Sequence, residues 1–220
     1  MIQFEDVTKD YDNQTALRNI NFFIDKGEMV FFTGPSGSGK TTLLRLIYMA
    51  EKPDRGRISI AGWEADSVKE SSIPFLRRHI GIVFQDFRLL THRTIFDNVA
   101  IALRIRGMRE REIKPKVYDA LKTVYLRHKS DSYPLKLSGG EQQRVVIARA
   151  IVADPTVILA DEPTGNLDPD TAYGIMKAFK TINAKGTTVV IATHNRELFR
   201  DTVRRVLHLD TGNLVSEDLG

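Results

Sequence analysis

The sequence predicts an α/β fold with a mainly parallel core sheet, an antiparallel β subdomain and an inserted helical subdomain. Three observations carry this reading. Short apolar runs at Met29-Val30-Phe31-Phe32-Thr33, Ile80-Gly81-Ile82-Val83-Phe84, Val157-Ile158-Leu159-Ala160 and Thr188 to Ala192 look like strands buried on both faces. Residues 2–24 alternate instead, as strands of an antiparallel pair do. From Thr94 to about Leu126 the apolar spacing turns helical.

In order, Ile2 to Tyr11 reads as a strand and Asp12-Asn13-Gln14 as a turn. Ala16 to Ile24 reads as a second strand with Ile20, Phe22 and Ile24 on one face. Lys26-Gly27-Glu28 turns into the run at Met29, and a helix starting at Thr42 is expected to reach Glu51-Lys52-Pro53. Asp54-Arg55-Gly56 reads as a turn, Arg57 to Ala61 as a short strand and Ile73 to Arg78 as a short helix. In the helical stretch Val117, Ala120, Leu121 and Val124 share a face, and Gly107 and Pro115 are expected to break it into two or three pieces. A helix follows Leu137-Ser138-Gly139-Gly140-Glu141 to about Ala153. Asp170 to Asn183 reads as helix closed by Gly186, and Glu197 to Arg205 as a short helix. Val206 to Leu209 reads as a strand and Thr211-Gly212-Asn213 as a turn. Arg104, Arg106, Arg109 and Arg111 read as a solvated basic face.

A chain of 220 residues with 42% hydrophobic residues can bury a real core, as one domain with a small subdomain. The net charge of +4 is too diffuse to argue for nucleic acid. With no cysteine there is neither a disulfide nor a thiolate metal site. The N-terminus lacks a signal-peptide pattern, and no apolar run approaches the ~18 residues of a membrane span. The expectation is a cytoplasmic protein whose membrane role, if any, comes through another chain.

The chemistry concentrates at Gly34-Pro35-Ser36-Gly37-Ser38-Gly39-Lys40-Thr41-Thr42, which fits the phosphate-binding P-loop pattern between a strand and a helix. Its glycines let backbone N–H groups turn inward around a triphosphate, and the helix start adds positive potential. Lys40 would reach the outer phosphates and the Thr41 hydroxyl would hold Mg²⁺. Three other buried runs end in polar residues: Gln85, Asp161 with Glu162, and His194. In open α/β sheets ligands sit outside the carboxyl ends of the strands, so these residues are expected around one site with Lys40 and Thr41. Asp161 after four apolar residues is the Walker B pattern, a carboxylate for Mg²⁺. Glu162 is placed to take a proton from the water attacking the γ-phosphate, or only to cap the turn before Pro163. Ser138 and Glu141 form a capping box. Gly139 and Gly140 are poor helix formers, and make sense if a phosphate approaches that helix start closely.

Together the P-loop, LSGGEQQR at 137–144, VILADE at 157–162 and His194 resemble the nucleotide-binding subunit of an ABC ATPase, over essentially the whole chain. The resemblance implies a P-loop NTPase fold of the ABC type: a RecA-like core at 1–84 and 155–220, and a helical subdomain at about 86–154. It implies ATP and Mg²⁺ as cofactors and an ATP-dependent, head-to-tail homodimer. Each ATP would lie between one P-loop and Ser138, Gly139, Gly140 and Glu141 of the other copy. It identifies Gln85 as the residue linking the Mg²⁺ site to a membrane partner and His194 as the contact to the γ-phosphate. Asp168, after Gly165-Asn166-Leu167, would cross the dimer interface, and Tyr11 would stack on adenine. Taken singly, Gln85 reads equally as a surface residue, Asp168 as a helix start, Tyr11 as core and His194 as a loop residue.

The stretch at 160–168 resembles the branch holding lipoprotein-release, macrolide-export and cell-division ATPases. Phe75-Leu76-Arg77-Arg78, the run from Val83 to Leu90 and the run from Arg93 to Ala100 look like the cell-division members. Those imply an integral membrane partner of the FtsX type, control of peptidoglycan hydrolysis and a place on the inner face of the plasma membrane. Phe84, Phe87, Leu89 and Leu90 would make a groove for a helix of that partner, or pack as core. Tyr48-Met49-Ala50 departs from the glycine-containing stretch of many relatives. An exporter ATPase of the same branch is the alternative. A soluble protein acting on DNA or ribosomes would carry long insertions or two fused units. A non-catalytic scaffold would commonly lack Glu162 and His194.

Overall fold

The structure is a computed structural model that describes residues 1–220 apart from Asn13, Asp66, Asn166 and Asp201. Asn13, expected in the first turn, and Asn166, in the stretch before Asp168, therefore lie outside the described residues. The chain opens with β1 (Ile2–Tyr11), β2 (Gln14–Ile24) and β3 (Met29–Thr33), then α1 (Lys40–Ile47), β4 (Arg55–Ile60) and β5 (Trp63–Glu64). The middle runs α2 (Ile73–Arg77), β6 (Ile80–Val83), α3 (Ile95–Arg104), α4 (Glu110–Thr123) and α5 (Gly139–Ile151). Then come β7 (Val157–Asp161), α6 (Pro169–Asn183), β8 (Thr188–Ala192), β9 (Arg205–Asp210) and β10 (Asn213–Leu219).

The strands form two sheets. One has the order β2-β1-β4-β5 and is antiparallel; the other is β10-β9-β3-β8-β7-β6, parallel except for the β9–β10 pair. Alternation along the parallel strands splits the core in two. Phe31, Ile158, Ala160, Val189 and Ile191 pack with α3, α4, α5 and α6. Val30, Phe32, Val157, Leu159 and Val190 pack with α1 and the antiparallel sheet. Both faces are buried, which is why these runs are continuously apolar.

Several boundaries differ from expectation for identifiable reasons. The first helix begins at Lys40 and ends at Ile47, well short of Glu51, because Met49 takes a left-handed φ of 55°. Arg77 fixes that break by donating to the Tyr48 and Met49 carbonyls at 3.0 and 2.9 Å. The Tyr48 ring meets Phe84 edge-on at 6.4 Å, so the divergent Tyr48-Met49-Ala50 stretch packs against the end of β6. Arg55 and Gly56, expected in a turn, already belong to β4, since Arg55 pairs with Thr8. Gly107 does separate α3 from α4, but Pro115 lies inside α4 without ending it. An interior proline costs about 3 kcal/mol. Buried Ile113, Val117, Ala120 and Leu121 outweigh it at about 1.5–3 kcal/mol for each large aliphatic side chain. The helix expected from Glu197 to Arg205 is a single 3₁₀ turn, Arg196–Leu198, and Arg205 instead starts β9 and pairs with Val30 of β3. β10 was not expected. Its residues are almost all exposed, and Arg205 anchors it to Glu217 at 2.5 Å. Arg104 and Arg106 are not simply solvated: Arg104 bonds Asp97 and Glu110, and Arg106 donates to the Ala153 and Arg78 carbonyls.

Asn98 anchors the segment after β6. It is fully buried; its Oδ1 accepts from Leu90 N at 2.7 Å. Its Nδ2 donates to the carbonyls of Leu90, Arg93 and Thr94 at 3.0, 3.2 and 2.9 Å. Asn98→Leu strands those backbone groups and should cost about 2–4 kcal/mol. In a chain of this size the thermal midpoint should fall by about 5–15 °C, measured by calorimetry.

Candidate active site

The carboxyl ends of β3, β8, β7 and β6 lie side by side, so the residues that follow them share one edge of the sheet. After β3 the loop turns through Gly34 (φ 152°) and Gly39 (φ 103°), the latter capping α1. A side chain at Gly34 would overlap the Leu209 carbonyl, so the loop lies flat on β9. Ser38 is buried and its carbonyl accepts from Gly212 N at 3.2 Å, while Pro35 O accepts from Ser38 N at 3.2 Å. Ser36 and Gly37 form the exposed crest, and Thr42 follows Thr41 into α1. Lys40 is buried, and its ammonium donates to the Gly34 and Pro35 carbonyls at 2.7 and 2.9 Å. Burial lowers its pKa, opposed by the carboxylates of Glu162 and Asp161.

Next to the loop, Thr41 Oγ1 donates to Asp161 Oδ2 at 2.9 Å. Burial raises the Asp161 pKa, opposed by the Thr41 bond. A hydroxyl and a carboxylate side by side are hard oxygen donors, and suit Mg²⁺ that keeps other positions for water and phosphate. Among the described residues there is no cluster of three or more His, Cys, Asp or Glu that could hold a metal alone. Glu162 takes a left-handed φ of 44°, a strained conformation for a residue with a side chain. Its N–H donates to Ala192 O at 2.8 Å and its carbonyl accepts from Gly165 N at 3.2 Å. The carboxylate accepts from Thr193 Oγ1 at 3.1 Å on Oε2 and from His194 N at 3.0 Å on Oε1, with His194 Nδ1 at 2.7 Å from that same oxygen. Gln85 stands exposed beyond β6 and borders a small cavity with Glu162. It does not join the Thr41–Asp161 pair in this conformation.

Tyr11 closes β1, and its hydroxyl bonds Glu51, which also accepts from Arg45 of α1 at 3.3 Å. Burial, then Glu51, raises the tyrosine pKa. The structure thus places Tyr11 beside the P-loop helix, with the Lys9 ammonium 5.4 Å from its ring centre. Glu51, which fixes Tyr11, carries no local signal in the sequence. Thr193 does, as the polar residue immediately after a buried run.

Ser138, Gly139, Gly140 and Glu141 begin α5 as a capping box: Ser138 Oγ accepts from Glu141 N at 3.3 Å and Glu141 Oε2 from Ser138 N at 3.1 Å. Lys129 bonds Glu141 and lowers its pKa. The neighbours of the two glycines are Leu167, Phe87 and Thr171, none of them in the P-loop. Gly140 has a reason within the chain for lacking a side chain, since a Cβ there would overlap Thr171 Cγ2. At Gly139 a Cβ would meet only ordinary contacts of 3.7 and 3.9 Å. Asp168 caps α6, accepting from Thr171 N at 2.9 Å, and that residue holds its pKa down. Gly140→Ala should therefore destabilise the chain by about 1–3 kcal/mol through overpacking. Adding Thr171→Ser, which removes the clashing methyl, should restore most of the thermal midpoint. A double variant as unstable as the single one would remove Thr171 as the cause.

The family described as ABC transporter matches residues 17–165. The chain is 49% identical over 219 residues to the cell division ATP-binding protein FtsE of Bacillus subtilis, covering 99% of this chain and 96% of that protein. It is 48% identical over 215 residues to the cell division ATP-binding protein FtsE of Escherichia coli K12, covering 97% of each. Its fold superposes with a TM-score of 0.90 and 36% identity on an ATP-binding cassette solved as a dimer in a post-hydrolysis state with ADP and Pi, over 100% of this chain and 98% of that one. With the family matched over residues 17–165 and these relatives matched almost end to end, the chain belongs to the ABC transporter family.

Proposed function

We propose that this chain is the ATP-hydrolysing subunit of a membrane-coupled complex in bacterial cell division. The observation that carries the reading is the convergence of Lys40, Thr41, Asp161, Glu162 and His194 on one sheet edge. The cell-division role rests on the FtsE relatives. Among the described residues no helix is long and apolar enough to cross a membrane. Membrane coupling therefore calls for a second, integral protein, of the FtsX type in this reading, holding the chain to the inner face of the membrane. The half-buried side chains of Phe84, Phe87, Leu89 and Leu90 would receive it. Residues 86–154 would act as a helical subdomain moving against the core at 1–84 and 155–220.

In this proposal the backbone N–H groups from Gly34 to Thr42 cradle the phosphates of ATP. Lys40 exchanges its two carbonyl partners for the outer phosphates. Thr41 and Asp161 would hold Mg²⁺, with Gln85 as a further oxygen; the ion would neutralise phosphate charge. Glu162 releases His194 and takes a proton from the attacking water, whose oxygen bonds to the γ-phosphorus as the bond to the bridging oxygen breaks and ADP leaves. His194, freed, donates to the γ-phosphate. Tyr11 lies against the adenine. The ATP of one copy is closed by Ser138, Gly139, Gly140 and Glu141 of a second copy in a head-to-tail dimer, with Asp168 at that interface. A dimeric relative bound to ADP and Pi supports the two-copy arrangement.

Two variants test these roles. Glu162→Gln should keep ATP binding and lower hydrolysis by about 10²–10⁴-fold in a phosphate-release assay. Unchanged turnover would remove Glu162 as the base. Lys40→Ala should weaken MgATP binding by about 10–100-fold in calorimetry, given the strength of a charge-assisted bond to phosphate. Parental affinity would contradict the P-loop assignment.

A further inference from the structure

Gln143 is the fifth residue of α5, one turn after the glycine pair. It is 2% exposed, and among the described residues neither its Nε2 nor its Oε1 has a hydrogen-bond partner. Leaving a buried amide unsatisfied is costly, so such groups usually have a partner. The amide is not surrounded by hydrocarbon alone. Gln143 lines a cavity of about 20 Å³ together with Gln85, Glu162, Pro163 and Gly165. A space above about 10–15 Å³ admits one water where two to four polar groups face it. The polar side chains in its lining are those of Gln143, Gln85 and Glu162, beside the apolar Phe87 and Leu167.

We propose that Gln143 is a positioning residue for Glu162: its amide holds one water in this cavity, and that water bridges it to Gln85 and Glu162. The inference rests on the reading of Glu162 as the base. Among the described residues, every direct hydrogen bond to the Glu162 carboxylate comes from Thr193 and His194, after β8. When His194 turns to phosphate, Glu162 loses part of that support. The bridge from α5 restrains it from a second direction. Because α5 also carries Ser138 and Gly139 at its start, a movement of that helix reaches Glu162 through Gln143. No proton is transferred at Gln143; the amide only orients.

Gln143→Met keeps the length of the side chain and removes both polar atoms. In the full chain it should lower kcat for ATP hydrolysis by about tenfold or more, the scale of a misplaced catalytic group, while KM for ATP stays within about twofold. Its thermal midpoint should stay close to that of the parent, since the amide's burial cost and its bonds to the water are removed together. A kcat within about twofold of the parent would overturn the proposal. So would a fall in midpoint with activity lost only in proportion to the folded fraction, which is a purely structural effect. Glu162→Gln measured beside it separates the two assignments. If that variant is inactive and Gln143→Met is normal, only the role of Gln143 fails. If Glu162→Gln turns over normally, the base assignment fails, and the Gln143 proposal with it.

Discussion

The parallel register of β3, β8, β7 and β6 is the constraint on which the site depends. Phe32 pairs with Ala192, Ala192 with Asp161, and Ala160 with Val83. Each strand therefore stops at nearly the same height. The P-loop, His194, Glu162 and Gln85 leave the sheet within two residues of that line. A one-residue slip in any of these strands would turn its apolar residues out of register with both cores and move its terminal polar group to the wrong face. The two hydrophobic layers therefore enforce the geometry of the chemistry, because neither tolerates the slip.

The charged groups at that edge are held on internal partners. Lys40 sits on two carbonyls of its own loop, Thr41 on Asp161, and Glu162 on Thr193 and His194. Burial pushes Lys40 and Asp161 towards their neutral forms, so each gains from a partner of opposite charge. A triphosphate with its cation supplies such partners. Glu162 adds backbone strain at φ 44°, a conformation the bonds to Ala192 and Gly165 keep in place. The site is thus made of strand ends whose charged side chains rest on internal partners, which the proposed mechanism has them exchange for nucleotide.

Much of this was legible in the sequence. β3, β7 and β8 are short apolar runs because both their faces are buried, and that composition needs no knowledge of neighbours. Lys40, Asp161, Glu162 and His194 could be grouped because each follows such a run. What failed to show depends on tertiary contact. Pro115 looked like a break because its local cost is visible and the burial of Ile113 and Val117 is not. β10 is an exposed edge strand that has no apolar pattern to display. Gly140 suggested an approaching phosphate, whereas Thr171, thirty-one residues later, already requires the missing side chain. Glu51 and Gln143 gain their meaning from Tyr11 and Glu162, neither of which is near in the chain.

In the proposed head-to-tail pair, one copy supplies the P-loop edge and a second copy supplies the start of α5. Mixing two defective chains tests it most directly. Lys40→Ala disables the P-loop side. Gly139→Asp places a negative charge where phosphate would approach, at a position with room for a side chain. In a head-to-tail pair of one chain of each kind, one composite site carries both defects and the other carries none. ATP hydrolysis by the mixture should then rise well above that of either variant alone. A mixture no more active than its separate components would contradict a site shared between two copies.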